Sequence, residues 1–259
     1  MKSLAVSMLT VLSLAPAAWA AQPLITDDTG TQGKGAQQLE WAHSSERATQ
    51  GLGRSRSRSL AGAWTYTLGA TDQADVFVTG SYLGLRPASG PSTSGWSHLT
   101  LGAKWRLWEL ESSQTSLALK PEWLLPVSPG REARELGVGR SSYALTLIAT
   151  QELPFGALHL NVQAGRERYR DSQDNERSLR YSAATLWDVA PGWRLALDLG
   201  QQTVRSAQGA EVRARFVEIG TIYSPSKSQD WALGLIRSTD NDKPAAATRT
   251  LTGGWTYRF

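Results

Sequence analysis

Apolar and polar residues alternate with a period of two along most of the chain, which is typical of β-strands with one apolar face. The stretch from His98 to Leu107 is the plainest case, because every second residue from Leu99 onward is apolar. The pattern predicts twelve strands, which lie near 39–41, 60–68, 76–82, 99–107, 117–127, 143–149, 158–164, 179–189, 193–203, 212–223, 231–237 and 251–259.

The last predicted strand carries Leu251, Gly253, Trp255, Tyr257 and Phe259 on one face. Taken alone, it fits the edge of a soluble β-sandwich as well as the closing strand of a membrane barrel. In a barrel, its terminal Phe would be the feature through which the barrel-assembly machinery engages the chain.

The connections between the strands favour the barrel. Short connections at 69–73, 109–114, 154–156, 190–192 and 224–230 alternate with mostly longer ones at 45–55, 86–95, 128–139, 170–176, 204–210 and 238–248. An even number of strands joined in this way is typical of bacterial outer-membrane barrels, whose short turns face the periplasm. A sandwich has no reason to alternate its connections.

Aromatic residues on the apolar faces form two groups. Eight lie near the strand ends that adjoin short connections: Tyr66, Trp105, Trp187, Trp193, Tyr223, Trp231, Trp255 and Tyr257. Three lie near the opposite ends: Tyr82, Tyr143 and Tyr181. Membrane barrels carry such girdles at both interfaces. We therefore predict an all-β fold: a closed antiparallel transmembrane β-barrel of about twelve strands, with both termini periplasmic.

Residues 1–20 have the layout of a secretory signal peptide: Lys2, an apolar run, and a cleavage site after Ala20. Later apolar runs are too short for a membrane helix. Residues 21–35 are polar and rich in turn formers, and we expect them at the periplasmic mouth of the barrel or inside its lumen. The barrel itself is expected over residues 36–259, in the bacterial outer membrane.

Composition excludes some functions. The formal net charge of +4 is small and spread over both signs, so it gives no support for nucleic-acid binding. The chain has no cysteine, which excludes disulfides and thiol chemistry.

Several short motifs resemble the outer-membrane transporter-like family called "putative MetA-pathway of phenol degradation". They are Thr26-Asp27-Asp28-Thr29-Gly30 with Gly35, Leu119-Lys120-Pro121-Glu122 leading to Leu125-Pro126, Glu218-Ile219-Gly220, and the ending from Gly253 to Phe259. The chain departs from the family pattern at Val127-Ser128-Pro129-Gly130, where a Thr-Gly step is expected. The resemblance implies an outer-membrane barrel that passes aromatic or other apolar compounds.

Alternation places many charged and polar residues on the inner face of the predicted barrel. They are Glu40, His98, Lys104, Arg106, Lys120, Glu122, Glu152, His159, Arg180, Arg194, Asp198 and Glu218. One hypothesis is a ladder of charges that neutralise one another and hold the barrel in shape. The other is a selectivity lining for a solute, made by Lys104, Arg106, Lys120, Glu122, Arg180, Arg194, Asp198 and Glu218. The two are compatible.

An enzyme is the competing class of function. The only histidines are His43, His98 and His159, and they fall on separate predicted strands. The sequence contains no Gly-x-Ser-x-Gly elbow and no clustered metal ligands, so we predict no catalytic residue, no metal and no cofactor.

Arginines on the lipid-facing parity mark the predicted outer rim. They are Arg56, Arg58, Arg166, Arg168, Arg213, Arg215, Arg237 and Arg249. A charge that faces the middle of the hydrocarbon costs about 2–4 kcal/mol, so these residues are expected only at the interface. There their guanidinium groups could bind phosphates of lipopolysaccharide.

The sequence thus predicts passive diffusion of a small solute across the outer membrane. A structural barrel closed to solutes is the first alternative. An outer-membrane enzyme that acts on lipids is the second.

Overall fold

The computed structural model of the chain describes residues 23–50, 55–241 and 246–259. The expected signal peptide, and Ala21 and Gln22 of the expected N-terminal segment, lie outside these residues. The described strands are β1 (Gln37–Gln50), β2 (Ser55–Thr71), β3 (Ala74–Arg86), β4 (Thr93–Leu110), β5 (Thr115–Leu124), β6 (Arg140–Leu153), β7 (Gly156–Arg168), β8 (Glu176–Ala190), β9 (Trp193–Ser206), β10 (Glu211–Ser226), β11 (Gln229–Asp240) and β12 (Ala246–Arg258). A short helix, α1 (Pro129–Glu132), and a 3₁₀ turn (Ser172–Asp174) lie in the connections.

The sheet closes on itself. Each strand pairs antiparallel with its sequence neighbours, and β1 also pairs with β12, where Trp41 lies opposite Trp255. This pairing leaves no free sheet edge and excludes an open sandwich. The prediction of a closed barrel of twelve strands is therefore confirmed among the described residues.

Exposure alternates in the sense opposite to that of a soluble protein. On β10, Ile219 is 66% exposed while its neighbour Glu218 is fully buried. The outer surface of the barrel is thus an apolar belt and the interior is polar, as a membrane requires.

The short connections all lie at the end of the barrel that holds Gln37 and Phe259, and we assign this end to the periplasm. Residues 45–50, 204–206 and 238–240, which the sequence pattern assigned to opposite loops, belong to strands. Register pairing across the sheet extends these strands beyond the apolar stretches that define them in the sequence.

The predicted end of β5 is also wrong. The sequence pattern extends β5 to Val127, but β5 ends at Leu124. Pro126 has no N–H to offer the sheet, and Val127 N–H instead donates to Val138 O within the loop, at 2.9 Å. Val127 is consequently buried rather than exposed to lipid.

Aromatic rings cluster at the periplasmic interface. Trp193 stacks on Tyr223 with ring centroids 4.5 Å apart, and Trp231 lies 6.1 Å from Trp255. At the outer interface Tyr82 packs edge-on against Trp96, which the girdle prediction had not included. In the described part of the chain, no helix is long and apolar enough to cross a membrane.

Candidate functional site

The N-terminal segment, residues 23–35, lies inside the barrel. It enters beside β2, where Gly35 N–H donates to Gly69 O at 2.8 Å. Gly69 must be a glycine here, because a Cβ on it would come within 1.7 Å of the Gly33 carbonyl oxygen. Gly33 and Gly35 themselves have φ of +84° and +80°, which allow the chain to turn into the lumen.

Asp27 is the charged anchor of the N-terminal segment. Its carboxylate accepts from Lys104 Nζ at 2.8 Å and from Lys120 Nζ at 2.6 Å, so two neighbouring strands bind one side chain. Burial acts to raise the pKa of Asp27, but the two ammonium groups outweigh it and lower the pKa to about 2. The carboxylate is therefore charged at any physiological pH.

Asn161 of β7 fixes the backbone of the same residue. Its side-chain amide accepts from Asp27 N–H at 2.6 Å and donates to Asp27 O at 3.0 Å. Asp27 is thus bound through its side chain by β4 and β5 and through its backbone by β7.

A second anchor lies on β9. Asp198 accepts hydrogen bonds from Ile25 N–H at 2.8 Å, Thr26 N–H at 2.7 Å and the Thr26 hydroxyl at 2.7 Å. Asp198 is fully buried and lies directly opposite Glu218 of β10, which is also fully buried. The N-terminal segment supplies donors to a wall that presents two adjacent acids.

Apolar packing holds the tip of the segment. Leu24 packs among Ala184, Leu186, Ala196 and Ile222 on the inner faces of β8 to β10. A Cβ at Gly220 would come within 2.4 Å of Pro23, so the absence of a side chain at Gly220 leaves room for the proline.

Hydroxyl and carboxylate contacts complete the fit toward β3 and β6. Thr29 N–H donates to the Thr150 hydroxyl at 3.1 Å, and Gln32 N–H donates to Asp75 at 3.1 Å. Between its tip and its base, the segment therefore contacts strands on most sides of the lumen.

Of the eight predicted lining residues, Lys104, Lys120 and Asp198 contact the N-terminal segment, and Glu122, Arg180 and Glu218 are buried on the inner face. The other two lie nearer the periplasmic turns. Arg106 donates to Asp72 O at 3.2 Å and pairs with Glu109, and Arg194 is half-buried opposite Ile222.

The outer mouth is narrowed by the loop between β5 and β6. Val127, Leu136 and Val138 of this loop are buried, and Leu136 fits against Gly95, where a Cβ would lie 3.0 Å from it. Arg170 of the next outer loop donates to Val127 O at 2.7 Å and pairs with Glu132. Two outer loops are thereby joined over the lumen.

The histidines do not come together. His159 contacts the Thr150 hydroxyl at 3.0 Å, and His98 contacts the Ser97 hydroxyl at 3.2 Å on a different strand. His43 is exposed on the outer face. Among the described residues, neither buried histidine contacts a carboxylate that would orient it as a catalytic base.

Of the eight predicted rim arginines, Arg168 is half-buried and the other seven are exposed. Among the exposed ones, Arg213 pairs with Glu211 and Arg215 donates to Gln201. The remaining five are Arg56, Arg58, Arg166, Arg237 and Arg249.

Sequence reasoning missed Asp27 and Asn161 as site residues. Asp27 lies in an aperiodic stretch, so alternation gives it no face. The signal that could have found it is the Thr26-Asp27-Asp28-Thr29-Gly30 motif, which places two acids in the segment expected at the mouth or in the lumen of the barrel, where Lys104 and Lys120 are predicted to point.

Three solved structures share the fold. An outer-membrane channel from Pseudomonas putida F1 is 16% identical, with a TM-score of 0.72 over 90% of this chain and 98% of its own. The β domain of the Bordetella autotransporter BrkA is 13% identical, with a TM-score of 0.58 over 86% and 100%. The CymD monoaromatic hydrocarbon channel is 10% identical, with a TM-score of 0.53 over 88% and 89%.

No curated protein sequence matches the chain. A family model does match it, over residues 26–247, from the first anchor to the last strand. The protein is an outer-membrane β-barrel that belongs to the family described as "Putative MetA-pathway of phenol degradation".

Proposed function

We propose that this protein is a passive outer-membrane channel for small solutes, and that the N-terminal segment is its plug. The observation that carries the proposal is how the interior is filled. The segment is covalently joined to the wall only at β1, and elsewhere mostly hydrogen bonds and ion pairs hold it. Such contacts can be exchanged for water, so the plug can leave without unfolding the barrel.

The proposed solutes are small aromatic compounds. The family description names phenol degradation, and CymD, which has the same fold, is described as a monoaromatic hydrocarbon channel. The lumen adds a matching feature, because Lys120 Nζ lies 5.2 Å from the ring centre of Phe77. Mixed charges beside an aromatic ring would bind a phenolic solute weakly, so that it can both enter and leave.

A barrel that serves only as structure is the alternative. It would keep the same charges as a stabilising ladder and would never open. We assign no enzymatic role, since the buried histidines contact hydroxyl groups on separate strands and would be reached only through the lumen.

Liposome swelling separates the channel from the closed barrel. The full-length protein and a variant lacking residues 21–35 are reconstituted, and swelling is followed with a panel of phenols, benzoates and sugars. We expect the variant to admit solutes faster than the full chain, with aromatic compounds favoured over sugars of similar size. No swelling with the shortened variant, in barrels that still migrate as folded on unheated gels, would establish the closed structural barrel.

Charge selectivity then tests the lining. In the shortened variant, Lys120→Ala removes a cation and Glu122→Ala removes an anion from adjacent inward positions of β5. We expect the two substitutions to shift the cation-to-anion permeability ratio in opposite directions. A shift in the same direction for both would mean that they act through barrel stability.

A further inference from the structure

Five exposed arginines form one continuous row across the outer surface. The register places Arg86 of β3 opposite Arg58 of β2, Arg58 opposite Arg47 of β1, Arg47 opposite Arg249 of β12, and Arg249 opposite Arg237 of β11. We call these residues the arginine row. Sequence parity alone had identified three of them, but not Arg47 or Arg86, and it gave no sign that they align.

The arginine row crosses the β1–β12 pairing that closes the barrel, so it includes residues of both the first and the last strand. Neighbouring strands lie roughly 4.8 Å apart, so the five Cα positions span about 20 Å. Like charges directly opposite one another on a sheet destabilise it. Five in succession therefore call for an anionic partner.

The described part of the chain supplies no such partner. None of the five guanidinium groups pairs with a carboxylate there; Arg58 and Arg86 contact only the hydroxyls of Ser45 and Ser92, at 3.5 and 3.4 Å.

A second row on the opposite wall shows the contrast. There Arg166 lies opposite Arg177, and Arg177 opposite Arg205. That row ends on Glu211, which pairs with both Arg205 and Arg213. Among the described residues, the second row therefore has a carboxylate at one end, whereas the arginine row has none.

The arginine row lies along the upper border of the apolar belt. On three of these strands, the next outward-facing residue toward the membrane centre is a leucine. These leucines are Leu60, Leu251 and Leu235, and they are 40%, 52% and 58% exposed. A charge at this border lies where lipid headgroups begin, and its cost there falls to roughly 0–1 kcal/mol.

The row is also oblique. Strands of such barrels tilt by roughly 35–45°, so directly paired residues change height by about 3 Å per strand. The upper end, Arg86, adjoins the outer loop before β4, and the lower end, Arg237, lies opposite the exposed Val217 of the apolar belt. The ligand must therefore present anionic groups at several depths, and the lower arginines reach up to it along their aliphatic stems.

We propose that the arginine row is a binding site for lipopolysaccharide. In the outer leaflet this lipid offers the phosphates of its lipid A headgroup and, further out, the carboxylates of its inner-core sugar acids. Guanidinium groups bind phosphate and carboxylate with two parallel hydrogen bonds, which favours arginine over lysine at each position. The site is independent of solute passage and of the plug.

Lipid retention by the full chain tests the site. Wild-type barrel in detergent is loaded with bisphosphorylated lipid A, monophosphoryl lipid A or phosphatidylglycerol, washed, and weighed by native mass spectrometry. The variant Arg47→Gln with Arg249→Gln removes the centre of the arginine row. The matched control, Arg177→Gln with Arg205→Gln, removes the same charge from the row that contains Glu211.

We expect the Arg47/Arg249 variant to retain bisphosphorylated lipid A at least tenfold less than wild type, because the loss of a single charged hydrogen bond already weakens binding by about that factor. The control should stay within about threefold of wild type. Excess inorganic phosphate should compete poorly, since a single phosphate cannot span the row. Equal loss in both variants, or equal retention of phosphatidylglycerol and lipid A by wild type, would overturn the proposal.

A charge-preserving variant guards against a folding defect. Arg47→Lys with Arg249→Lys keeps the net charge and the exposed stems, so the barrel should fold. Retention of lipid A should still fall, because the two-pronged hydrogen bonds are lost. Retention equal to wild type would show that net charge alone attracts the lipid, and the site as proposed would be wrong.

Discussion

The plug is held by two anchors of opposite chemistry. On β4 and β5 the wall is cationic and the plug supplies the carboxylate, since Asp27 binds Lys104 and Lys120. On β9 the wall is anionic and the plug supplies N–H and O–H donors to Asp198. The first anchor depends on one side chain, whereas the second depends largely on the plug backbone.

The difference shows which anchor a change in sequence or solution can release. Backbone donors are present whatever residues occupy positions 25 and 26, but the charge of Asp27 can be removed by one substitution or one proton. Without the plug, Lys104 and Lys120 would lose the carboxylate of Asp27, and Asp198 would lose the donors of Ile25 and Thr26, so both sides of the wall favour the plugged state.

Replacing Asp27 should have the largest effect. Asp27→Asn keeps the shape of the side chain but removes the charge that binds Lys104 and Lys120, and breaking a buried ion pair costs about 3–5 kcal/mol. Since 1.4 kcal/mol is about a tenfold change in an equilibrium, the open state should gain at least a hundredfold. Single-channel recording in planar bilayers measures this as open probability.

The matched control is Asp28→Asn. Asp28 is next in sequence and half-buried; its carboxylate accepts from Gly30 N–H at 2.7 Å and lies 3.5 Å from Lys104 Nζ, farther than the 2.8 Å that separates Lys104 Nζ from Asp27. It should change the open probability far less than Asp27→Asn. Similar opening by both variants would mean that general charge, not the lysine pair, holds the plug.

Protonation of Asp27 should have a smaller effect of the same kind. Its pKa is lowered from 3.8 to about 2, so the anchor contributes fully above pH 3.8 and is lost as the pH falls through about 2. The shift corresponds to roughly 2 kcal/mol. Conductance measured stepwise from pH 5 downward should therefore rise only below about pH 4.

The Asp27→Asn variant has no carboxyl to titrate and should lack this rise. If it opens over the same pH range as wild type, other acids of the lumen control the plug. Opening of wild type above pH 4 would contradict the stabilised carboxylate.

The alternation of apolar and polar residues predicts well which face of the barrel a strand residue occupies, but it does not predict which residues that side chain contacts. The positions of Lys104 and Lys120 on the inner face follow from Leu99, Leu101 and Leu119 facing lipid, because a strand has a period of two. That both lysines bind Asp27 does not follow, since Asp27 lies in an aperiodic stretch far from them in sequence.

The same limit applies on the outer surface. Parity placed Arg58, Arg237 and Arg249 outside, but their alignment with Arg47 depends on the register between the first and last strands. Register is set by cross-strand pairing, such as Trp41 with Trp255, and a single strand carries no trace of it. The predicted end of β5 was wrong for a related reason. Val127 continues the apolar pattern of the strand, but it belongs to the following loop, where it is buried.

The smallest predicted effect concerns the second anchor. Thr26→Val preserves the shape of a fully buried side chain and removes the hydroxyl bond to Asp198, while the two backbone N–H donors remain. A hydrogen bond to a charged acceptor contributes about 1.5–3 kcal/mol, and the added methyl group offsets part of the loss. We expect open probability to rise by about tenfold.

Thr29→Val is the matched control, because the Thr29 hydroxyl contacts the neutral Ser116 hydroxyl and its loss should matter less. If Thr29→Val opens the channel as much as Thr26→Val, the charge of Asp198 adds nothing to the anchor, and the contrast between the two anchors reduces to Asp27 alone.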